Sequence, residues 1–257
     1  MVQPGPTPKA GPEAASSWSF HPDHQAAVDR RRRIIVQYDP GVSGLTPENS
    51  VQEWKDFGFQ YFDQPNSQVD AIWWDFDPHH PVWHHADPEV DLWAVVLQET
   101  HRRGLEAFWH HRISEIDVGP PGTRMAHWPD KKTVTQGDNF LHPIKAEHPD
   151  WVIKTWWWQG MWNLAVPEVR DYKVELLREM AERYDFDGYQ IDFARHTPVL
   201  PVGRQWELRD SVTDLMRRLR EMLLEASAAK NKPILLSAKV PRSLENCRID
   251  GFDVVRW

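Results

Sequence analysis

The sequence predicts an α/β fold of the (β/α)8 TIM-barrel type, apparently incomplete, with roughly five to six βα units present. Three observations predict it. Short apolar runs alternate with amphipathic helical patterns, as the strands of a parallel sheet alternate with crossover helices. Each run ends in a polar cluster, where a barrel carries its site. No glycine-rich phosphate loop follows the first run, which sets aside a dinucleotide-binding fold. An open α/β sheet of five or six strands is the alternative.

The first 28 residues, opening MVQPGPTPKAGPEAASSW, are rich in Pro, Ala and Gly and read as a flexible lead; 29–257 read as one barrel domain. The lead lacks the apolar core of a signal peptide, and no run approaches the roughly 18 apolar residues of a membrane span. The default location on this reading is cytoplasmic. IIVQYD (34–39) reads as a buried strand ending in an acid, and a helix is expected over 48–59. VDAIWWDFD (69–77) is the second strand, again ending in acids. Pro88 and Glu89 open a helix in which Val90, Trp93, Leu97 and His101 recur at spacings of three and four, and Gly104 closes it. LEAFWHHRI (105–113) is the third strand, and 114–166 reads as one long loop, of a length that is usually functional or carries small elements of its own.

Pro167 suits a first helical turn, and Val169, Tyr172, Leu176, Met180 and Tyr184 mark one face of a helix reaching 183. It leads into YQIDF (189–193). A helix over 204–229 presents Leu208, Val212, Leu215, Leu219 and Leu223, and PILLSAKV (233–240) is the fifth strand. GFDVVRW (251–257) stands where a sixth unit should begin. Closing eight strands would take roughly 100 more residues, so the domain reads as truncated at its C-terminus.

With 38 acidic against 30 basic residues the net charge is -8, the wrong sign for nucleic acid or anionic membrane partners. The single cysteine, Cys247, excludes an internal disulfide framework and a cysteine-based zinc site. Fifteen tryptophans are present, and indole faces serve both cores and sites that stack on rings.

The strand ends collect Asp39; then Asp75 and Asp77; then Arg112 and Glu115; then Asp192, Arg195 and His196; then Lys239 and Arg242. Asp187, before Gly188, reads as a polar turn. Asp192 falls at the exit of its strand, where Arg195 and His196 would keep it ionised. Such a carboxylate can attack an anomeric carbon, stabilise an oxocarbenium-like state, bind a cation or orient a hydroxyl. A structural salt bridge to Arg195 is the other reading.

The stretch WNLAVPEVRDYKVELLREMAERYDFDGYQIDFAR (162–195) resembles the glycosyl-hydrolase-like family 10, formerly a domain of unknown function, in its helix start and its Asp-Gly-apolar-x-apolar-Asp strand. The similarity extends more loosely over 33–257, through IIVQYD, VDAIWWDFD, GLEAFWHHRISEID and SAKVPRSLENCRIDGFDVVRW. The resemblance implies a TIM-barrel glycoside hydrolase with a carbohydrate substrate; no cofactor is assigned. The same strand is similar to the nucleophile segment of the alpha-amylase superfamily. Gln190 stands at that pattern's arginine, and SAKVPRS offers Lys239 and Arg242 where an acid is expected.

Glycoside hydrolysis usually needs two carboxylates. Beside Asp192 the candidates are Glu115, Asp117, Asp75, Asp77 and Asp39, with Glu115 first because its strand neighbours that of Asp192. His79, His80, His84, His85, His110 and His111 with Asp75 and Asp77 offer a metal-dependent hydrolase as an alternative. No HxH or HExxH spacing is present, and of His110 and His111 only one can face the interior; no metal ligand is assigned. The WWW run at 156–158, Trp157 foremost, suits a sugar-stacking platform, with Asn163 supplying hydroxyl contacts. The substrate-binding set is Asp39, Asp75, Asp77, His111, Arg112, Trp157, Asn163, Arg195, His196, Lys239 and Arg242. A carbohydrate-binding barrel without catalysis is the second alternative.

Overall fold

A computed structural model describes residues 19–39, 45–46, 48–75, 85–114, 143–155 and 159–257. A short helix, α1 (His24–Asp29), falls inside the stretch expected to be a flexible lead. It precedes β1 (Ile34–Tyr38), α2 (Val51–Phe59), β2 (Val69–Asp75), α3 (Leu92–Arg102) and β3 (Glu106–Arg112). α2 starts at a capping box in which Ser50 and Glu53 satisfy each other's backbone N–H groups. Asp91 caps α3 by accepting from the backbone N–H groups of Trp93 and Ala94.

The segment expected to be one long loop holds structure of its own. α4 (Pro143–Glu147) and a 3-10 turn (Pro149–Trp151) lead into an antiparallel hairpin of β4 (Val152–Lys154) and β5 (Gln159–Trp162). These strands have three and four residues, too few for a two-residue alternation to stand out. Then follow α5 (Pro167–Arg183), β6 (Gly188–Asp192), α6 (Arg209–Lys230), β7 (Leu235–Lys239) and α7 (Leu244–Asp250). α6 begins five residues later than the leucine spacing suggested, at 209 rather than 204.

All pairings in the main sheet are parallel, in the order β1-β2-β3-β6-β7. Every new strand adds on the same side as the last, with no reversal of order. A doubly wound open sheet reverses at a switch point; a barrel does not. The described part is therefore an arc of a (β/α) barrel.

One face of the arc is apolar and packs on the helices. Trp74 donates from its indole N–H to the Thr100 hydroxyl of α3 at 3.1 Å, and Trp109 meets Trp93 of the same helix edge-on at 5.9 Å. Ile72, Trp74, Ala107, Trp109, Tyr189 and Ile191 on this side are all buried. The other face, toward the barrel axis, is built in rungs that the register defines. Gln37, Trp73, Phe108, Gly188 and Leu235 pair across the five strands as one rung. Trp73 stacks on Phe108 at 5.1 Å, and a Cβ on Gly188 would stand 2.3 Å from the Phe108 ring. Glycine at 188 is thus what lets the Phe108 ring lie across β6.

At the N-terminal end of the strands, Asp187 does the structural work expected of it. Its carboxylate accepts from the Ala107 backbone N–H at 2.8 Å and meets His101 at 3.0 Å and Lys232 at 3.3 Å. Beside it, Glu106 receives the Arg32 guanidinium at 2.7 Å.

Candidate functional site

The polar residues gather at the opposite end, where the strands exit. Above the aromatic rung the register pairs Asp75 with His110 and His110 with Gln190, which pairs with Ser237; above that, Arg112 pairs with Asp192 and Asp192 with Lys239. Because side chains two apart on a strand share a face, these residues all project toward the barrel axis. Buried polar side chains need partners, and several of these find theirs across the strands.

Asp192 is 1% exposed and is surrounded by donors. One oxygen accepts from the backbone N–H groups of Ala194 at 2.8 Å and Arg195 at 3.1 Å. The other lies 3.0 Å from Lys239 Nζ and 3.1 Å from His110 Nε2. Burial opposes its charge, but His110 and Lys239 outweigh burial and hold the carboxyl down at about 2. The charge that steadies Asp192 thus comes from neighbouring strands. Arg195 contributes its backbone N–H while its side chain is exposed, so it forms no salt bridge with Asp192. Burial, Arg112 and Arg195 push the His196 imidazole down to about 3, and its Nδ1 faces the Ser114 carbonyl at 3.1 Å. A ring nitrogen facing a carbonyl must donate, so His196 is a neutral ring with its proton on Nδ1.

Arg112 ties the first two strands to the third. Its Nη2 donates to Asp39 at 2.7 Å and contacts Asp75 as well. Burial pushes the Asp75 carboxyl up to about 6 against the pull of Arg112 and His110. His110 Nδ1 meets the Gln190 side-chain oxygen at 2.6 Å, so the ring links Gln190 to Asp192.

The predicted site residues thus fall into three groups. Asp39, Asp75, Arg112, Asp192, Arg195, His196 and Lys239 come together at one end of the sheet, with Arg242 three residues beyond Lys239 on the same exit loop. His111 and Asn163 stand apart. The two-residue strand period turns His111 to the helix side, where its ring lies 4.7 Å from that of Trp109, and His110 takes the interior place. Asn163 accepts from the Ala165 backbone N–H at 3.1 Å in the turn that starts α5. Asp77, Glu115 and Trp157 lie outside the described residues, as do Asp117, His79, His80 and His84. Among the described residues no group of three or more His, Cys, Asp or Glu side chains gathers as a metal site.

Sequence reasoning passed over His110, Gln190 and Ser237 as a connected set. Counting back by two from Arg112, Asp192 and Lys239 would have found all three on the interior face.

The two buried aspartates shape the pH dependence of folding in opposite ways. Asp75 has a folded value above its unfolded one, so its contribution is present below about pH 4 and is lost as pH rises through about 6. A displacement of about 2 units corresponds to roughly 3 kcal/mol. Asp192, displaced downward, contributes above about pH 4 and loses that contribution as pH falls toward 2. Stability at pH 7 relative to pH 4, read from the urea midpoints, should therefore be higher in Asp75→Asn than in the parent protein, because the falling Asp75 contribution no longer offsets the rise that the depressed His196 gives over the same range. Parallel shifts in the two proteins would refute the assignment.

The fold and the site together define a barrel-type α/β domain whose interior face ends in a network of paired acids and bases. No family model matches the sequence. A curated relative, the glycosyl hydrolase YngK of Bacillus subtilis (strain 168), is 31% identical over 106 residues. The match takes in 41% of this chain and 18% of the relative, so the chain spans under a fifth of that protein. Over that part the chain is similar to a protein named as a glycosyl hydrolase. Among solved structures, the galactosidase domain of the alpha-galactosidase-sucrose kinase AgaSK matches at a TM-score of 0.48 and 13% identity, over 82% of this chain and 27% of that one. The alpha-galactosidase TtGalA of Thermus thermophilus, solved with stachyose, matches at 0.45 and 15%, over 84% and 43%. The alpha-L-fucosidase isoenzyme 2 of Paenibacillus thiaminolyticus matches at 0.45 and 14%, over 80% and 32%. These are general likenesses of arrangement, too low in score and identity to carry a function across.

Proposed function

We propose that the chain carries the catalytic face of a glycoside hydrolase acting on a poly- or oligosaccharide, with Asp192 as its reacting carboxylate. One observation carries the reading: a buried aspartate at a strand exit, held ionised by His110 and Lys239 and oriented by two backbone N–H groups. A carboxylate kept charged and rigid in a buried place is what attack on an anomeric carbon, or stabilisation of an oxocarbenium-like state, requires. The name of the YngK relative supports the same class.

Glu115 is the proposed second carboxylate. It directly follows Ser114 past the exit of β3, and β3 is the strand that pairs with β6 and so with Asp192. In the proposed reaction it protonates the departing oxygen while Asp192 meets the anomeric carbon. Asp39, Asp75 and Arg112 form a fixed polar floor beside Asp192.

The test is a panel of oligosaccharides followed for both binding and release of new reducing ends. Hydrolysis of at least one member is expected. Binding without any cleavage would favour the non-catalytic carbohydrate-binding barrel, and neither binding nor cleavage across the panel would overturn the carbohydrate reading.

A further inference from the structure

At the exit end of the strands the described carboxylates are already used as acceptors. Asp192 accepts from the backbone N–H groups of Ala194 and Arg195 and from the Lys239 ammonium, with His110 Nε2 3.1 Å away. Asp39 and Asp75 share Arg112. What faces outward is different in kind. The Lys239 side chain is 41% exposed although its ammonium touches Asp192, and Arg195 and Arg242 are exposed. Among the described residues of the same exit loops two exposed acids stand against these three cations, Glu207, which pairs with Arg204, and Glu245 in the first turn of α7.

Among the described residues, a ligand arriving here meets mainly N–H donors. A neutral sugar ring presents hydroxyls that are donors as well as acceptors, and its donors would go unmet on burial. A carboxylate or sulfate group is acceptor-only and matches such a surface. The overall charge of -8 makes this local excess of cations a property of the site rather than of the composition.

Resting on the hydrolase reading above, we infer that the substrate is an acidic glycan, and that its anionic group sits on the sugar nearest Asp192. Lys239 sets that position. One of its three N–H bonds points at Asp192 at 3.0 Å, so an anion meeting the other two lies within one side chain's reach of the reacting carbon. Arg195 and Arg242 extend the same donor surface outward and receive further anionic groups of a polymeric substrate.

The experiment measures binding of the whole protein to paired oligosaccharides. Each uronate-containing oligosaccharide of the panel is supplied alongside its carboxyl-reduced, neutral form, with carrageenan oligosaccharides as the sulfated arm and polyglutamate as an anion that is not a sugar. At least tenfold tighter binding of one acidic member than of its reduced form is expected, weakening as salt rises and reduced about threefold or more in Arg195→Ala and Arg242→Ala. The uronate and sulfate arms decide which anion is taken. Equal or tighter binding of the neutral forms would overturn the inference and leave the hydrolase reading standing. Binding of polyglutamate as tight as that of the best glycan would overturn it as mere charge attraction. No glycan binding of either kind would overturn both.

Discussion

Replacing Asp192 by asparagine is expected to lower turnover of a cleaved oligosaccharide by about 10³-fold or more, roughly 4 kcal/mol of transition-state stabilisation. The change keeps the side-chain volume, and its oxygen can still accept from the N–H groups of Ala194 and Arg195. It removes the charge, and it points an amide N–H₂ at Lys239 and His110. Some stability should go with it, since the ionised form contributes on the order of 2 kcal/mol at neutral pH by its downward displacement to about 2. The two effects separate by measurement. Turnover per folded molecule, with the folded fraction taken from a urea curve, should still fall by three orders of magnitude. If activity instead tracks the folded fraction, Asp192 is a scaffold residue and the catalytic role fails.

Gly188→Ala is expected to cost about 2 kcal/mol, which in a domain of this size is roughly 4–8 °C in Tm. The added methyl would stand 2.3 Å from a ring carbon of Phe108, and that ring is held by its stack on Trp73 and by the Arg32 guanidinium at 5.9 Å. The ring is buried, so moving it aside would disturb its stack on Trp73. A double-mutant cycle with Phe108→Ala checks the cause: with the ring gone the methyl has room, and the two costs should fall short of additivity by at least 1 kcal/mol. Additive costs would place the origin in the backbone instead.

The alternation of buried runs and amphipathic helices made the barrel arc legible from the sequence, because continuous apolar strands such as LEAFWHHRI and helix faces such as Leu215, Leu219 and Leu223 carry their periods openly. The acids and bases at the strand exits were legible for the same reason: a strand end is a short distance from the last apolar residue. Partnership was not. The sequence distance between Asp192 and Arg195 is three residues, and nothing in it says that the backbone N–H rather than the guanidinium turns inward. Lys239, the cation that does reach Asp192, is 47 residues away and becomes a neighbour only through the parallel pairing of β6 with β7. His110 and His111 show the same limit, since adjacency hides which face each one takes until an anchor sets the parity.

The pairing of Asp192 with Lys239 also ties chemistry to assembly. The two residues are direct partners in the ladder, so the contact exists only when β7 docks on β6 without a slip. A shift of one residue would set Ala238 or Val240 beside Asp192 and turn the lysine to the helix side. The buried Asp192 carboxylate then acts as a proofreader of its own strand: a slipped chain leaves a buried charge without its lysine and is rejected at the cost of that charge. A molecule in which Asp192 has met Lys239 is thereby one whose fourth and fifth parallel strands have already been checked against each other.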